Sequence, residues 1–237
     1  TTSWGTSTRL VGGIIMAQGD DDGIIIPPKV ASAHAVILPI IRKPDDRAKV
    51  MPFVTQLASE LREQAYHRRM LNIEIDDRDI GGARGWDWIK KGIPIRIEIG
   101  PRDIAENSVF VGRRDRHYKE KVSINRDTFV AEFTKMLDDI QTTLFNRAVA
   151  FREANTENIG QKDLFYDYFT PKNFEKPEIH GGFAVSPWCG DEACELKIKE
   201  DLSVSIRCIP FDGASANGAC ICCGKPAMQE VIFAKAY

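Results

Sequence analysis

The sequence predicts an α/β region with a five-stranded sheet flanked by helices, followed by a small α+β domain at the C-terminus. The first observation is a pair of predicted strands separated by an amphipathic helix, the order of a βα unit. The second is a helical spacing of apolar residues over 125–155. The third is that all six cysteines of the 237-residue chain fall between Cys189 and Cys223.

Five segments of the α/β region have the composition of strands. The first, HAVILPII, is almost entirely apolar, as in a strand buried on both faces. Asp45 or Asp46 can then cap a helix that extends to about Tyr66. A Gly-rich loop, 81–85, comes after the second strand, near the kind of strand end where open α/β sheets bind ligands. The strands are predicted at 34–41, 71–75, 93–99, 109–113 and 119–124.

Turn-forming residues help to divide the chain. GDDDG at 19–23 predicts a solvated turn rather than a metal site, and 24–26 a short strand that ends at two prolines. Of the four predicted parts, the third contains the end of the long helix and a connection. The fourth contains strands, a helix and the cysteines. The predicted parts are 1–30, 31–140, 141–181 and 182–237.

Four of the cysteines form two short pairs. Cys189 and Cys194 have four residues between them, and Cys220 and Cys223 have two. Such pairs bring two thiolates to one ion, and two pairs complete a tetrahedral site. Glycine and proline soon after Cys223 favour a tight turn whose backbone amides point at a bound sulfur. These four cysteines therefore predict a structural Zn²⁺ site.

Other assignments of the cysteines stay open. Cys222 adjoins a predicted ligand and could replace it, whereas Cys208 lies in an alternating segment and is predicted as a small core residue. Reduced thiols in a small core, or disulfides in an oxidising compartment, would also account for the cluster. Redox-active thiols are a further alternative, but they need the exposure that a closed four-cysteine site denies.

Bulk composition limits the function classes. A net charge of −2 argues against attraction of the whole molecule to nucleic acid, although it allows a local basic patch. We expect no membrane span and no signal peptide, because the sequence lacks both patterns. The cysteines then favour a reducing cytosol, so a cytoplasmic protein is expected. The chain starts without Met in sequence of structured type, which suggests a piece of a longer polypeptide.

A single arginine and a cluster of basic residues are candidate anion sites. Arg9 lies close to Gly12 and Gly13, which suits a nucleotide phosphate approached by backbone, or else a solvated helix start. The predicted hairpin tip is the most cationic segment, and it either contacts nucleic acid or is a solvated surface. Its basic residues are Arg113, Arg114, Arg116, Lys119 and Lys121.

Several motifs together resemble the C-terminal half of prolyl-tRNA synthetases of the archaeal and eukaryotic type. TSWGTSTRLVGG is similar to the start of class II motif 3, and GDDDGIIIPPKVA to the exit of that motif. DDRD and KGIPIRIEIGPRD are similar to the anticodon-binding domain of the family. The cysteine pairs match its C-terminal zinc-binding domain, and FAKAY is similar to the end of these enzymes. The resemblance covers the chain from Thr1 to Tyr237.

The resemblance implies an activity for the full-length protein: ATP, with Mg²⁺, activates proline, and the prolyl group is transferred to the 3′ end of its tRNA. It implies that Arg9 binds the ATP phosphates, a role that suits a permanently charged, forked guanidinium. Ser7 and Thr8 match neighbours that face the nucleotide or the tRNA end. Tyr237 takes the place of a terminal tyrosine directed toward the active site. The family is usually homodimeric, and the same is expected here.

The resemblance also implies that a mixed sheet flanked by helices reads the anticodon of proline tRNA. Proline anticodons share two guanines. A carboxylate can accept from guanine N1–H and N2–H, and an arginine can donate to O6 and N7. Our candidate readers are Glu98 and Arg102, followed by Arg78, Arg113 and Arg114.

The chain departs from the family pattern in two respects. Motifs 1 and 2 and most of the proline pocket are expected upstream, so this piece is not expected to activate proline by itself. The loop GARGWDW at 82–88 is shorter than in many relatives and is followed by Ile89 where they have glutamate. An alternative is a stand-alone tRNA-binding or regulatory zinc module without catalysis, which upstream sequence carrying motifs 1 and 2 would exclude.

Overall fold

The computed structural model describes residues 1–173, 175, 181–211 and 218–235, so Tyr237 lies outside the described residues. The chain divides into two compact units, 1–148 and 149–237. Each unit has its own sheet and its own apolar core. No helix among the described residues is both long and apolar enough to cross a membrane.

The first unit is built on a mixed five-stranded sheet, which confirms the predicted fold class. Its strand order is β4-β1-β5-β6-β7, in which β4, β1 and β5 are parallel and β6 and β7 are antiparallel to their neighbours. The elements are α1 (Arg9–Gln18), β1 (Ala35–Pro39), α2 (Pro44–Arg62), β2 (Ala65–Tyr66), β3 (Arg69–Met70), β4 (Ile73–Ile75), α3 (Ala83–Lys90), β5 (Ile95–Ile99), α4 (Pro101–Ala105), β6 (Ser108–Arg113), β7 (Lys121–Asn125) and the first part of α5 (Arg126–Ala154).

The core of this unit forms around β1. All five residues of β1 are buried, as expected of a central strand with no polar side chain. The helix α2 begins where the Asp46 carboxylate accepts the backbone N–H of Lys43 at 3.0 Å. The helices α2 and α5 bury their apolar stripes in the same core, through Val50, Val54, Leu57, Leu61, Phe129, Phe133, Leu137, Ile140 and Leu144.

Local structure differs from the sequence predictions in three places. The segment 24–26 is not a strand, because its Ile26 N–H donates to the Gly92 carbonyl of a turn rather than to a strand. Residues 83–85, predicted as loop, form the first turn of α3. The hairpin of β2 and β3 was not predicted, because its turn residues, His67 and Arg68, adopt positive φ without being glycine or asparagine.

The second unit has a four-stranded mixed sheet. The strand order is β10-β11-β9-β8, with β8 parallel to β9 and the other pairs antiparallel. Phe165 packs against Phe169 and Phe233 with ring centroids 5.0 and 5.1 Å apart, so the segment predicted as a connection supplies two core aromatics. The elements are the end of α5, β8 (Thr156–Asn158), α6 (Lys162–Phe169), β9 (Phe183–Trp188), α7 (Glu192–Leu202), β10 (Val204–Cys208) and β11 (Gln229–Lys235).

A buried histidine is expected to make the first unit sensitive to acid. His34 is fully buried, its Nδ1 accepts the Asn72 N–H at 3.0 Å, and its Nε2 has no partner among the described residues. Burial, aided by the charge of Arg69, lowers the pKa of His34 from 6.5 to about 4. The unfolded chain therefore binds a proton that the folded chain does not. The contribution of neutral His34 to the free energy of unfolding is therefore fully present above pH 6.5. The free energy of unfolding decreases by about 3 kcal/mol as the pH falls toward 4.

Urea unfolding of the first unit between pH 7 and 4 tests this expectation. His34→Asn retains a side-chain acceptor but does not titrate, so this part of the pH dependence should disappear in the variant. The same slope in both proteins would assign the acid sensitivity to other groups.

Candidate metal centre and nucleic-acid cleft

Four thiols of the second unit converge. The sulfurs of Cys189, Cys194, Cys220 and Cys223 all lie within 4.8 Å of one another. The Sγ atoms of Cys189 and Cys194 are 3.7 Å apart, and those of Cys189 and Cys223 are 3.8 Å apart. A tetrahedral zinc ion with Zn–S bonds of about 2.3 Å separates its sulfurs by about 3.8 Å. The cluster can therefore hold a metal ion, and its members are the four cysteines predicted from their spacing.

Two short segments bring the thiols together. Cys189 directly follows β9, and Cys194 lies in the first turn of α7, whose N-cap Asp191 accepts the Ala193 N–H at 3.0 Å. Cys220 and Cys223 lie in a turn before β11 that the structure closes with backbone hydrogen bonds. In one of these bonds the Gly224 N–H donates to the Cys220 carbonyl at 3.0 Å.

Backbone N–H groups point at the Cys220 sulfur, as the sequence of the turn predicted. Burial raises the pKa of its thiol, but backbone N–H groups of Cys223, Cys222 and Cys189 outweigh this effect and lower the pKa to about 7. At Cys194 burial is the main cause and neighbouring thiols add to it, so its pKa is raised. The site thus favours the deprotonated form of one thiol and places three other thiols close to it. A metal cation would suit such a site, because it would stabilise the negative charge of the thiolates.

The remaining two cysteines lie outside the cluster. Cys222 is buried, and its carbonyl accepts from Lys162 Nζ at 3.1 Å. Cys208 is exposed, so its prediction as a core residue was wrong. The reason is a break in the alternation, because the pairing of β10 with β11 shifts register between Ile206 and Cys208. All six cysteines are free thiols.

In the first unit, an open cleft of about 620 Å³ lies where β1 and β4 end. The N-terminal turns of α3 and part of β5 complete its lining. The ends of parallel strands are the usual position of ligand sites in open α/β sheets. The cleft is locally basic, although the chain has a net charge of −2. Its charged lining residues are Arg47, Arg78, Arg84, Arg96, Lys121, Asp77, Asp79 and Glu98.

A buried carboxylate organises the side of the cleft. Asp76 accepts from Arg78 Nε at 2.9 Å, from Arg78 Nη2 at 2.8 Å and from Trp88 Nε1 at 2.7 Å. The bonds from Arg78 are the main reason why the pKa of Asp76 is held well below its usual range. Arg84 donates to the carbonyls of Pro39 at 2.8 Å and Asp76 at 3.0 Å, and so ties the ends of β1 and β4 together.

Arg96 on β5 is a candidate that sequence reasoning missed. It lines the cleft, is 2% exposed, and its Nη1 has no hydrogen-bond partner among the described residues. Burial lowers the pKa of Arg96. Glu98, on the same face of the strand, accepts from Lys121 Nζ. The alternation of IPIRIEI was the available signal, because it places Arg96 beside a carboxylate that was considered a reader.

The other predicted readers occupy different environments. Arg78 lines the cleft with Glu98. Arg102 lies outside the lining, has an 87% exposed side chain and pairs with Glu106 at 3.0 Å. Arg113 is largely buried and pairs with Asp115 and Asp139.

Arg114, another predicted reader, is buried and held by partners within the protein. Arg114 is 3% exposed, and its guanidinium donates to both carboxylate oxygens of Asp20 and to the carbonyls of Ile89 and Gly23. These bonds use four of the five N–H groups of the guanidinium. The ion pair also attaches the turn at 19–23, which was predicted as solvated, to the buried guanidinium of Arg114. Ile89, at the position where many relatives have glutamate, is 5% exposed and lines the cleft.

The three residues assigned to ATP lie at the start of α1. Ser7, Thr8 and Arg9 are exposed, and the Ser7 hydroxyl accepts the Arg9 N–H at 3.4 Å. The helix α1 buries none of its residues.

Comparison with known proteins supports the family resemblance. The profile of the anticodon binding domain matches residues 34–136, and that of the C-terminal domain of prolyl-tRNA synthetase matches 174–237. Proline–tRNA ligase 2 of Anaeromyxobacter dehalogenans (strain 2CP-C) is 46% identical over 242 residues, which cover 100% of this chain and 47% of the relative. The chain belongs to the prolyl-tRNA synthetase family. Proline–tRNA ligase of Protochlamydia amoebophila (strain UWE25) is 44% identical over 239 residues, with coverage of 100% and 47%.

The chain spans about half the length of these prolyl-tRNA synthetases. Each of the two matched regions contains one of the two candidate sites. The anticodon-binding match contains the cleft, and the C-terminal match contains the four clustered cysteines. These matches favour the synthetase interpretation over a stand-alone regulatory module.

Proposed function

We propose that this chain reads the anticodon of proline tRNA as part of a prolyl-tRNA synthetase. The observation that carries this proposal is the basic cleft within residues 34–136, where buried Arg96 keeps a free donor near the Glu98 carboxylate. Unstacked anticodon bases are recognised at their edges by charged side chains of this kind.

The cleft offers complementary groups for a guanine edge. Arg96 can donate to O6 and N7, and Glu98 can accept from N1–H and N2–H. Arg78, at the side of the cleft, is a further candidate donor. The Arg96 guanidinium is buried and its Nη1 lacks a partner among the described residues. Guanine could accept a hydrogen bond from it, whereas a base without a suitable acceptor would leave it unpaired. That difference is a source of discrimination between bases.

The full-length enzyme would carry out the chemistry. There, ATP with Mg²⁺ activates proline, and the prolyl group passes to the tRNA 3′ end. Arg9 would contact the ATP phosphates, with Ser7 and Thr8 near the nucleotide or the tRNA end. Exposure of these residues agrees with a pocket completed by sequence outside this chain. We also propose a cytoplasmic homodimer for the full-length protein.

The four-cysteine cluster would hold a structural Zn²⁺. The observed sulfur separations of 3.7 and 3.8 Å agree with a tetrahedral site. Four protein ligands leave no open position for substrate or water. The ion would therefore stabilise the second unit and take no part in the ligase reaction.

Binding of this chain to proline tRNA, and to a version with both shared guanines changed, tests the proposed function. The changed tRNA should bind more weakly at a fixed salt concentration. Equal binding of both, decreasing steeply with salt, would indicate contact with the phosphate backbone alone and would reject anticodon reading.

Arg96→Gln is expected to lower the preference for the guanine-bearing anticodon by about tenfold, because it replaces the charged, forked guanidinium with a shorter, neutral amide. The fold should tolerate the change, since the variant removes a buried charge whose Nη1 has no partner among the described residues. The measurement is the ratio of Kd values for the two tRNAs. Arg102→Ala is the control, because Arg102 lies outside the cleft and should change both affinities by the same factor. A preference that Arg96→Gln leaves unchanged would exclude Arg96 as a reader.

A further inference from the structure

Three aromatic rings form a row beside the cleft. The rings of Trp86, on α3, and Tyr118, between β6 and β7, have centroids 5.0 Å apart. The His117 ring lies 4.5 Å from that of Tyr118, and Lys119 Nζ lies 5.6 Å from the Tyr118 centroid. Trp86 and Tyr118 both line the cleft, and Trp86 remains 39% exposed. The cleft thus combines polar groups suited to base edges with a ring surface suited to base faces.

We propose that Trp86 and Tyr118 stack on the anticodon base whose identity the enzyme must tolerate. This inference rests on the proposed function. Proline anticodons share two guanines and differ at their first position, so that base has to be held without being read. Stacking meets this requirement because every base presents a π face, whereas Arg96 and Glu98 are suited to the edge of one base.

Charge near the rings supports a nucleotide as the occupant. Lys119 and His117 are exposed beside Tyr118, and Arg116 is exposed one residue before His117. Such cations can approach the phosphates that flank a stacked base, which is the usual combination in single-strand recognition. Trp86 belongs to neither apolar core cluster of the first unit and is 39% exposed, so a base can approach its ring.

An RNA hairpin with the proline anticodon loop provides the test, with 2-aminopurine at the first anticodon position. Its fluorescence should be quenched on binding, and quenching should decrease in Trp86→Ala and Tyr118→Ala but persist in Tyr118→Phe, which keeps the ring. An abasic sugar at that position should weaken binding by about tenfold, whereas exchange of purine for pyrimidine should change it by less than about threefold.

The variants separate stacking from a general loss of structure. Tyr118→Ala should weaken binding of the intact hairpin and leave binding of the abasic hairpin unchanged. Equal weakening of both, or no quenching by the unaltered protein, would overturn the stacking proposal. A second hairpin with both guanines changed tests anticodon reading separately. If binding requires the guanines but 2-aminopurine is not quenched, only the stacking proposal fails.

Discussion

Removal of the proposed Zn²⁺ by a chelator is expected to unfold residues 149–237 while the first unit keeps its structure. Metal affinity at a four-cysteine site contributes about 10–16 kcal/mol, as much as the whole stability of a small domain. Cys194 and Cys220 also belong to the apolar core of the second unit. Loss of the ion would therefore leave several unligated thiols in contact within that core. Hydrogen exchange measured by mass spectrometry, with and without a chelator, reports protection in each unit separately.

Two cysteine variants make the chelation experiment specific. Cys194→Ser removes a clustered thiol and should reproduce the effect of chelation at the second unit. Cys208→Ser alters an exposed thiol outside the cluster and should leave protection unchanged. Equal loss of protection in both units on chelation would show that they unfold as one, and would contradict the expectation.

Asp20→Ala is expected to destabilise the first unit by about 3–5 kcal/mol, because it leaves the buried Arg114 charge without its partner. The pair is bidentate, with Arg114 Nη1 at 2.7 Å from one Asp20 oxygen and Nη2 at 2.5 Å from the other. A decrease of about 10 °C in Tm is the corresponding measurement. Arg114→Met should cost less, since the Asp20 side chain is 43% exposed and can be hydrated when its partner is lost.

Asp21→Ala is the matched control for this ion pair. Asp21 adjoins Asp20 in the same turn and is exposed, so its loss should change Tm by no more than about 1 °C. The double variant of Asp20 and Arg114 should be more stable than the sum of the single effects predicts, because no buried charge is left unpaired. An Asp20→Ala protein as stable as Asp21→Ala would show that Arg114 does not depend on the pair.

The sequence by itself determined the features that rest on local spacing. Apolar alternation and helical periodicity located the five strands and the long helix, because burial of one face imposes a period on the chain. Spacing within each cysteine pair identified the clustered thiols, because two residues a few positions apart can reach one ion only from a turn or helix start. The family resemblance likewise depended on short contiguous motifs.

Only the tertiary structure decided which charged side chains are available to a ligand. Arg102 and Arg114 were both candidate readers in the sequence, yet Arg102 is exposed outside the cleft and Arg114 is paired with Asp20, far away along the chain. Arg96 looked like one residue of an alternating strand, and its free donor is apparent only once the neighbouring strands surround it. The physical reason is that desolvation and pairing depend on groups brought together from distant segments, which no local pattern records.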